Sequence, residues 1–301
     1  MTTTQTITMR EQIGETLTEL FEHDERLALV LADISLPLFE KIQHSYPTRS
    51  INVGIMEQTM ISVATGYALE GFIPCVHTIS PFLVERPYEQ IKDDFCYQQL
   101  GGNFISTGAS YDYSTEGMTH HGPADVALLS QLPGMQIVIP GTAGEFDQLL
   151  RAAYDNGSPT YYRTSIAENA TDQQVAFGKL SVLQRGSQAT LIAVGPMLQK
   201  VLPGAARLDV TLLYCTTLLP FGAQTLRETA PNGEIIIIEP YYEGGLLPMV
   251  SAAMEHLPTR IKSIGVPHQI LKHYGTPEQH DEELGLTTEG IDQKIRQFLQ
   301  R

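Results

Sequence analysis

Glu57 is a carboxylate on a stripe that ought to be oily. The stretch Ile51-Asn52-Val53-Gly54-Ile55-Met56-Glu57-Gln58 reads as a short strand running into a helix, and the apolar positions after it are Met60, Ile61, Ala64 and Ala68. With Glu57 they follow the spacing of one helix face turned to a core. An ionised carboxylate in such surroundings is costly unless it is paired, hydrogen-bonded or protonated. Glu57 is therefore either an acid whose proton is in use or a residue at the edge of the stripe capped by a backbone amide.

Two further segments carry groups fit for chemistry. Ser80-Pro-Phe82-Leu-Val-Glu-Arg86-Pro-Tyr88-Glu-Gln90 offers an aromatic face, a guanidinium and a phenol. Glu116-Gly117-Met-Thr119-His120-His121-Gly122 offers imidazoles, which donate or accept near neutral pH. Adjacent side chains on an extended segment point apart, so His120 and His121 cannot both face one reacting group.

The elements that must position these residues alternate in type. Arg10 to Phe21 is amphipathic, Leu27 to Ala32 reads as a buried strand, and Ile51 to Val53 as another. Strands at Ile73 to Thr78, Asn103 to Thr107 and Met135 to Ile139 follow, with helices expected over Tyr88 to Leu100 and Ala143 to Asn156. Strand–helix alternation implies an α/β protein with a mostly parallel sheet covered on both faces. From 166 to 187 the chain turns polar and loses periodicity, which reads as a linker. A second doubly wound α/β unit then spans 188–301, with strands at Ala189 to Val194, Val210 to Tyr214, Glu234 to Ile238 and Arg260 to Ile264. The first domain is thus expected over 1–165.

Composition narrows the partners. The 301 residues hold 34 acidic against 19 basic side chains, and the net charge of −15 repels a phosphate backbone, so nucleic acid is not expected. Cys75, Cys96 and Cys215 are widely spaced and form no Cys-x-x-Cys pair, which suits free thiols in a reducing compartment. The opening residues lack a basic start and an apolar run, and no stretch approaches the ~18 apolar residues that span a bilayer. A cytoplasmic protein without membrane contact is expected. The histidines His23, His44, His77, His256, His268, His273 and His280 show no metal-ligand spacing, so no metal site is expected on this chain.

The string Asn52-Val-Gly-Ile-Met-Glu57-Gln58 with Ala64-Thr-Gly66-Tyr-Ala68 and Gly71 resembles the pyrimidine-binding domain of transketolases. The second unit resembles the transketolase C-terminal domain through Leu191-Ile-Ala-Val-Gly195, Glu239 with Gly244-Gly245-Leu246, and Glu283 to Ile291. The resemblance implies thiamine diphosphate as cofactor, with Glu57 bonding a ring nitrogen of the aminopyrimidine and Phe82 stacking on that ring. It implies cofactor contacts for Arg86 and Tyr88. It makes His120 the residue that faces the reacting carbon, with His121 in place of the usual Gln. It also implies substrate contacts for Glu116, Arg10 and Arg163.

Transketolases hold the diphosphate through Mg²⁺ with a Gly-Asp-Gly segment, which this sequence lacks. The resemblance is therefore to the beta half of a split transketolase, whose alpha partner supplies Mg²⁺ and the diphosphate site in an α2β2 heterotetramer. The reaction implied is transfer of a two-carbon ketol unit from a ketose to an aldehyde. Positions matching the family's phosphate ligands are Gly108, Ala109 and Ile166, which implies an unphosphorylated acceptor or one gripped by the partner. Two alternatives stand beside this: a decarboxylating enzyme using pyruvate, similar to deoxyxylulose phosphate synthase or 2-oxoacid dehydrogenase beta subunits, and a non-catalytic scaffold.

Overall fold

The computed structural model describes residues 7–300; the first six residues of the expected first domain, including most of the opening segment read for a leader, lie outside the described residues. Two sheets form the framework. The first has seven strands in the order β10-β5-β6-β4-β3-β1-β2, where β1 is Leu27–Leu31, β2 Ser50–Asn52, β3 Ile73–Ile79, β4 Gly102–Thr107, β5 Gln136–Val138, β6 Pro159–Arg163 and β10 Thr217–Leu219. The second has five in the order β12-β11-β8-β9-β7, with β7 Leu180–Gln184, β8 Thr190–Val194, β9 Thr211–Cys215, β11 Glu234–Tyr242 and β12 Arg260–Val266. All pairings are parallel except β10 with β5 and β7 with β9. Central strands such as β1, β8 and β9 are buried along their whole length, as expected where helices cover both faces.

The Met9–His23 helix starts with a capping box: Thr8 accepts from the Glu11 amide while the Glu11 carboxylate takes the Thr8 amide. It buries Ile13, Leu17, Leu20 and Phe21 against the first sheet's neighbours. The Glu57–Leu69 helix buries Glu57, Met60, Ile61 and Ala64 on one stripe, as the spacing indicates. Gly54, at φ +76°, makes the turn from β2 into that helix, a conformation L side chains rarely adopt.

Three expectations need correction. The helix expected over Tyr88 to Leu100 is a short α turn, Tyr88–Gln90, that widens into a π-helix, Ile91–Cys96; Ile91 and Phe95, four residues apart on one face, are both buried, and Phe95 meets Phe104 edge-on at 4.9 Å. The stretch 166–187, read as a linker, carries β7 and a set of anchors: Glu168 accepts from the Met9 and Ala143 amides, and Asp172 from the Thr142 hydroxyl. Finally, β10 belongs to the first sheet although it lies within the second unit's sequence, pairing antiparallel with β5.

Candidate active site

The chemistry-bearing residues gather at the carboxyl ends of the parallel strands, where open α/β sheets bind ligands. Asn52 at the end of β2 accepts from the Asp33 and Gly54 amides and donates to the Asp33 carboxylate at 2.8 Å. That ties the exit of β1 to the turn that launches Glu57. Glu57 is the first residue of its helix and 2% exposed. A negative charge there is favoured by the helix's unpaired N-terminal amides.

Both Glu57 oxygens accept from Arg86 Nη1, at 2.9 and 3.0 Å. The Arg86 guanidinium in turn lies over the Phe82 ring, its carbon 3.7 Å from the centroid. Phe82 meets the His120 ring edge-on, with centroids 5.0 Å apart. Glu57, Arg86, Phe82 and His120 are therefore one contiguous cluster drawn from three segments. His120 sits on the Met118–His120 turn, with Nδ1 3.0 Å from the Thr119 hydroxyl.

A buried polar network holds the supports of this cluster. Asp125 Oδ2 accepts from Ser80 at 3.0 Å, Tyr161 at 2.8 Å and Arg163 Nε at 2.7 Å. Ser80 opens the Ser80–Val84 helix that carries Phe82, so the network fixes that helix to the sheet. Arg163 Nη2 continues to Ser110 at 2.8 Å, and Ser110 donates to the Pro240 carbonyl of the second unit. Arg163, expected to touch substrate, is 1% exposed and committed to these partners. It anchors the structure, because a guanidinium out of water needs its carboxylate.

The second unit also clamps the loop that bears His120. Tyr111 donates to Asp281 and Ser114 to the Gly275 carbonyl, while Tyr242 donates its amide to the Pro123 carbonyl. At Gly117, φ +74°, a Cβ would stand 2.6 Å from the Tyr274 ring, so only glycine lets loop and ring approach this closely. The extended segment expected here is a 3-10 turn through His120, and the two imidazoles have different neighbours, Phe82 for His120 and His280 for His121. His121 is buried edge-on against His280 at 5.6 Å, and burial pushes its basicity down, with His280 and His120 adding to the effect.

The remaining expected residues are placed as follows. Tyr88 donates its hydroxyl to the Leu128 carbonyl and lines a cleft of about 460 Å³ between the two units, together with His121, Tyr242 and Ile270. Glu116 is exposed on the turn before Gly117. Arg10 donates to Ser35, whose hydroxyl also meets Nε2 of the buried His77. Burial lowers His77 to about 4, with the Arg10 charge adding to the fall. Asp125, Ser80, Ser110 and Asp281 carry no local sequence signal; only their distant partners reveal them. Among the described residues, no three His, Cys, Asp or Glu side chains are grouped to hold a metal ion, and no helix is long and apolar enough to cross a membrane.

Fold and cluster define a class of α/β protein that sets a buried carboxylate, a guanidinium and an aromatic face side by side at the mouth of a parallel sheet. Residues 5–169 match the transketolase pyrimidine binding domain and residues 178–291 the transketolase C-terminal domain. The chain belongs to the transketolase family. It is 37% identical to an uncharacterized 33.6 kDa protein in the fasciation locus of Rhodococcoides fascians, covering 95% of this chain and 93% of that one. It is 28% identical to one of the subunits of the apulose-4-phosphate transketolase of Phocaeicola vulgatus, over 98% of each chain. A solved structure described as a split gene transketolase, inactive beta4 tetramer, superposes with a TM-score of 0.87 at 27% identity, covering 98% of this chain and 99% of that one. Matches to 1-deoxy-D-xylulose-5-phosphate synthase, such as that of Pseudoalteromonas translucida at 28% identity, span 97% of this chain but 48% of the synthase.

Proposed function

We propose that this chain is the beta component of a two-component, thiamine diphosphate-dependent transketolase that moves a two-carbon ketol unit from a ketose to an aldehyde. The observation that carries the reading is the cluster itself. Its residues fit the aminopyrimidine: a buried carboxylate and an aromatic face stand side by side, and between them they already hold one flat nitrogen-bearing group, the Arg86 guanidinium.

When bound, thiamine diphosphate supplies the carbanion chemistry of the transfer. This chain's residues do the rest. Glu57, buried at the mouth of the sheet, would hold a proton at the ring nitrogen. Phe82 would fix the ring plane without adding a competing charge. His120, packed against Phe82, would donate to or accept from the oxygen of the reacting carbon. Glu116 and Arg10 are the proposed substrate contacts, and Tyr88 would bound the cofactor side of the cleft.

Mg²⁺ and the diphosphate would be held by an alpha subunit in an α2β2 complex. Supporting this is the end-to-end likeness to one subunit of a transketolase built from more than one chain and to the beta tetramer of a split-gene transketolase. Gly108, Ala109 and Ile166 at the positions of the family's phosphate ligands favour an unphosphorylated acceptor. The free thiols Cys75, Cys96 and Cys215 suit a reducing, cytoplasmic setting.

The test is reconstitution with a partner bearing the metal motif, in the presence of thiamine diphosphate and Mg²⁺. Ketol transfer by the pair and none by this chain alone is the expected result. Turnover by the single chain at an ordinary enzymatic rate, or release of CO₂ from pyruvate as the pair's main reaction, would overturn the reading.

A further inference from the structure

Arg86 is an unexpected neighbour for a carboxylate whose task is to share a proton with a ring. A guanidinium nitrogen bonded to both carboxylate oxygens engages the acceptors a heterocycle would need. The same guanidinium covers one face of Phe82, the surface on which a ring would stack. One side chain thus satisfies both recognition elements of the seat.

We propose that Arg86 is the seat's internal occupant, a flat nitrogen-bearing stand-in for the cofactor ring that must swing out before the ring can enter. The inference deepens the reading of Glu57 and Phe82 as the aminopyrimidine seat and rests on it. Exposure gives the direction of movement: the Glu57 side chain is 3% exposed and fixed in its helix, whereas that of Arg86 is 41% exposed. Arg86 follows the end of the Ser80–Val84 helix and precedes the buried Pro87, so its backbone is held while its long side chain has solvent to move into. Leaving the arginine in place would keep both carboxylate oxygens engaged and block the proton-sharing role. Exchanging one flat group for another leaves the buried carboxylate partnered in both end states, which avoids a standing orphaned acceptor. Arg86 then sets which ligands the seat accepts: planar amidine or guanidine groups able to compete with an arginine already in place.

The full-length chain, titrated calorimetrically with 4-amino-2-methylpyrimidine, tests this without any turnover. If the arginine occupies the seat in at least nine molecules of ten, Arg86→Ala binds the probe about tenfold or more tighter than the natural chain. Millimolar guanidinium then competes with the probe in Arg86→Ala and has little effect in the natural chain. Arg86→Lys, which keeps the charge but not the flat fork, falls between the two. Equal affinity makes Arg86 a bystander, weaker or undetectable binding makes it a ligand of the ring, and either result overturns the proposal. Glu57→Gln, made alone and with Arg86→Ala, separates the two levels. If it abolishes probe binding while Arg86→Ala changes nothing, the seat stands and the occupant falls. If probe binding ignores Glu57→Gln, both fall.

Discussion

Tyr111 and Asp281 meet across the boundary between the two units: the phenol donates to one carboxylate oxygen at 2.6 Å, and Lys200 holds the other at the same distance. The loop that bears His120 is therefore pinned at its start by a helix of the C-terminal unit. Tyr111→Phe removes the bond without removing the ring. Stability should fall by about 1 kcal/mol, read from chemical denaturation, and kcat of the reconstituted enzyme should fall several-fold with cofactor affinity unchanged. An unchanged kcat would mean that the C-terminal unit does not hold the loop for catalysis.

Glu57→Gln keeps the shape of the side chain and removes the acid. In the assembled complex, ketol transfer should drop by roughly 10²-fold or more, while circular dichroism and subunit association stay as in the natural pair. Full activity in this variant would remove the basis for an acid at this position, and failure of the natural complex to bind thiamine diphosphate would revive a scaffold role.

Asp125 and Arg163 are each 1% exposed, and neither has water to fall back on. Breaking such a pair from one side costs about 3–5 kcal/mol, so Arg163→Met should destabilise strongly in urea titrations. Replacing both residues with apolar ones of similar volume should recover a large part of the loss. A single variant with unaltered denaturation would show that the network is not needed to fix Ser80 and the Phe82 helix.

His77 is neutral and buried, held at about 4 by desolvation against a usual value near 6.5. Between those two values the unfolded chain binds the extra proton and the folded chain does not. The His77 contribution is therefore complete above about pH 6.5 and is lost as the pH falls toward 4, amounting to about 3 kcal/mol at the acid end. Raised carboxylates such as Glu145 and Glu239 act in the opposite sense, since the folded chain protonates them more readily. The His77 term is isolated by comparing the natural chain with His77→Gln across this range. Parallel stability curves for the two would contradict the assignment.

Local patterns made much of this molecule legible. The Glu57 stripe and the strand–helix alternation both follow from period and burial, whereas the extended segment read at His120 is a 3-10 turn. What stayed hidden depends on partners far along the chain. β6, Pro-Thr-Tyr-Tyr-Arg, reads poorly as a buried strand until Asp125 is known to neutralise Arg163. The acidic stretch around Glu168 and Asp172 looks like a solvated tether, yet its carboxylates receive the starts of two helices. Arg86 was legible as a companion of Phe82 in one segment, but its bond to Glu57 needed coordinates, because the two lie 29 residues apart in different segments.

The loan of β10 to the first sheet bears on how this protein can be handled. A gene fragment cut at the apparent boundary would leave β5 as a bare edge, its unpaired amides and carbonyls ready to recruit a stray chain. Beside the side-chain links between the halves, Thr217 to Leu219 supply the strand pairing that closes this edge. Anyone expressing the cofactor-binding half alone should expect aggregates unless that strand is carried along.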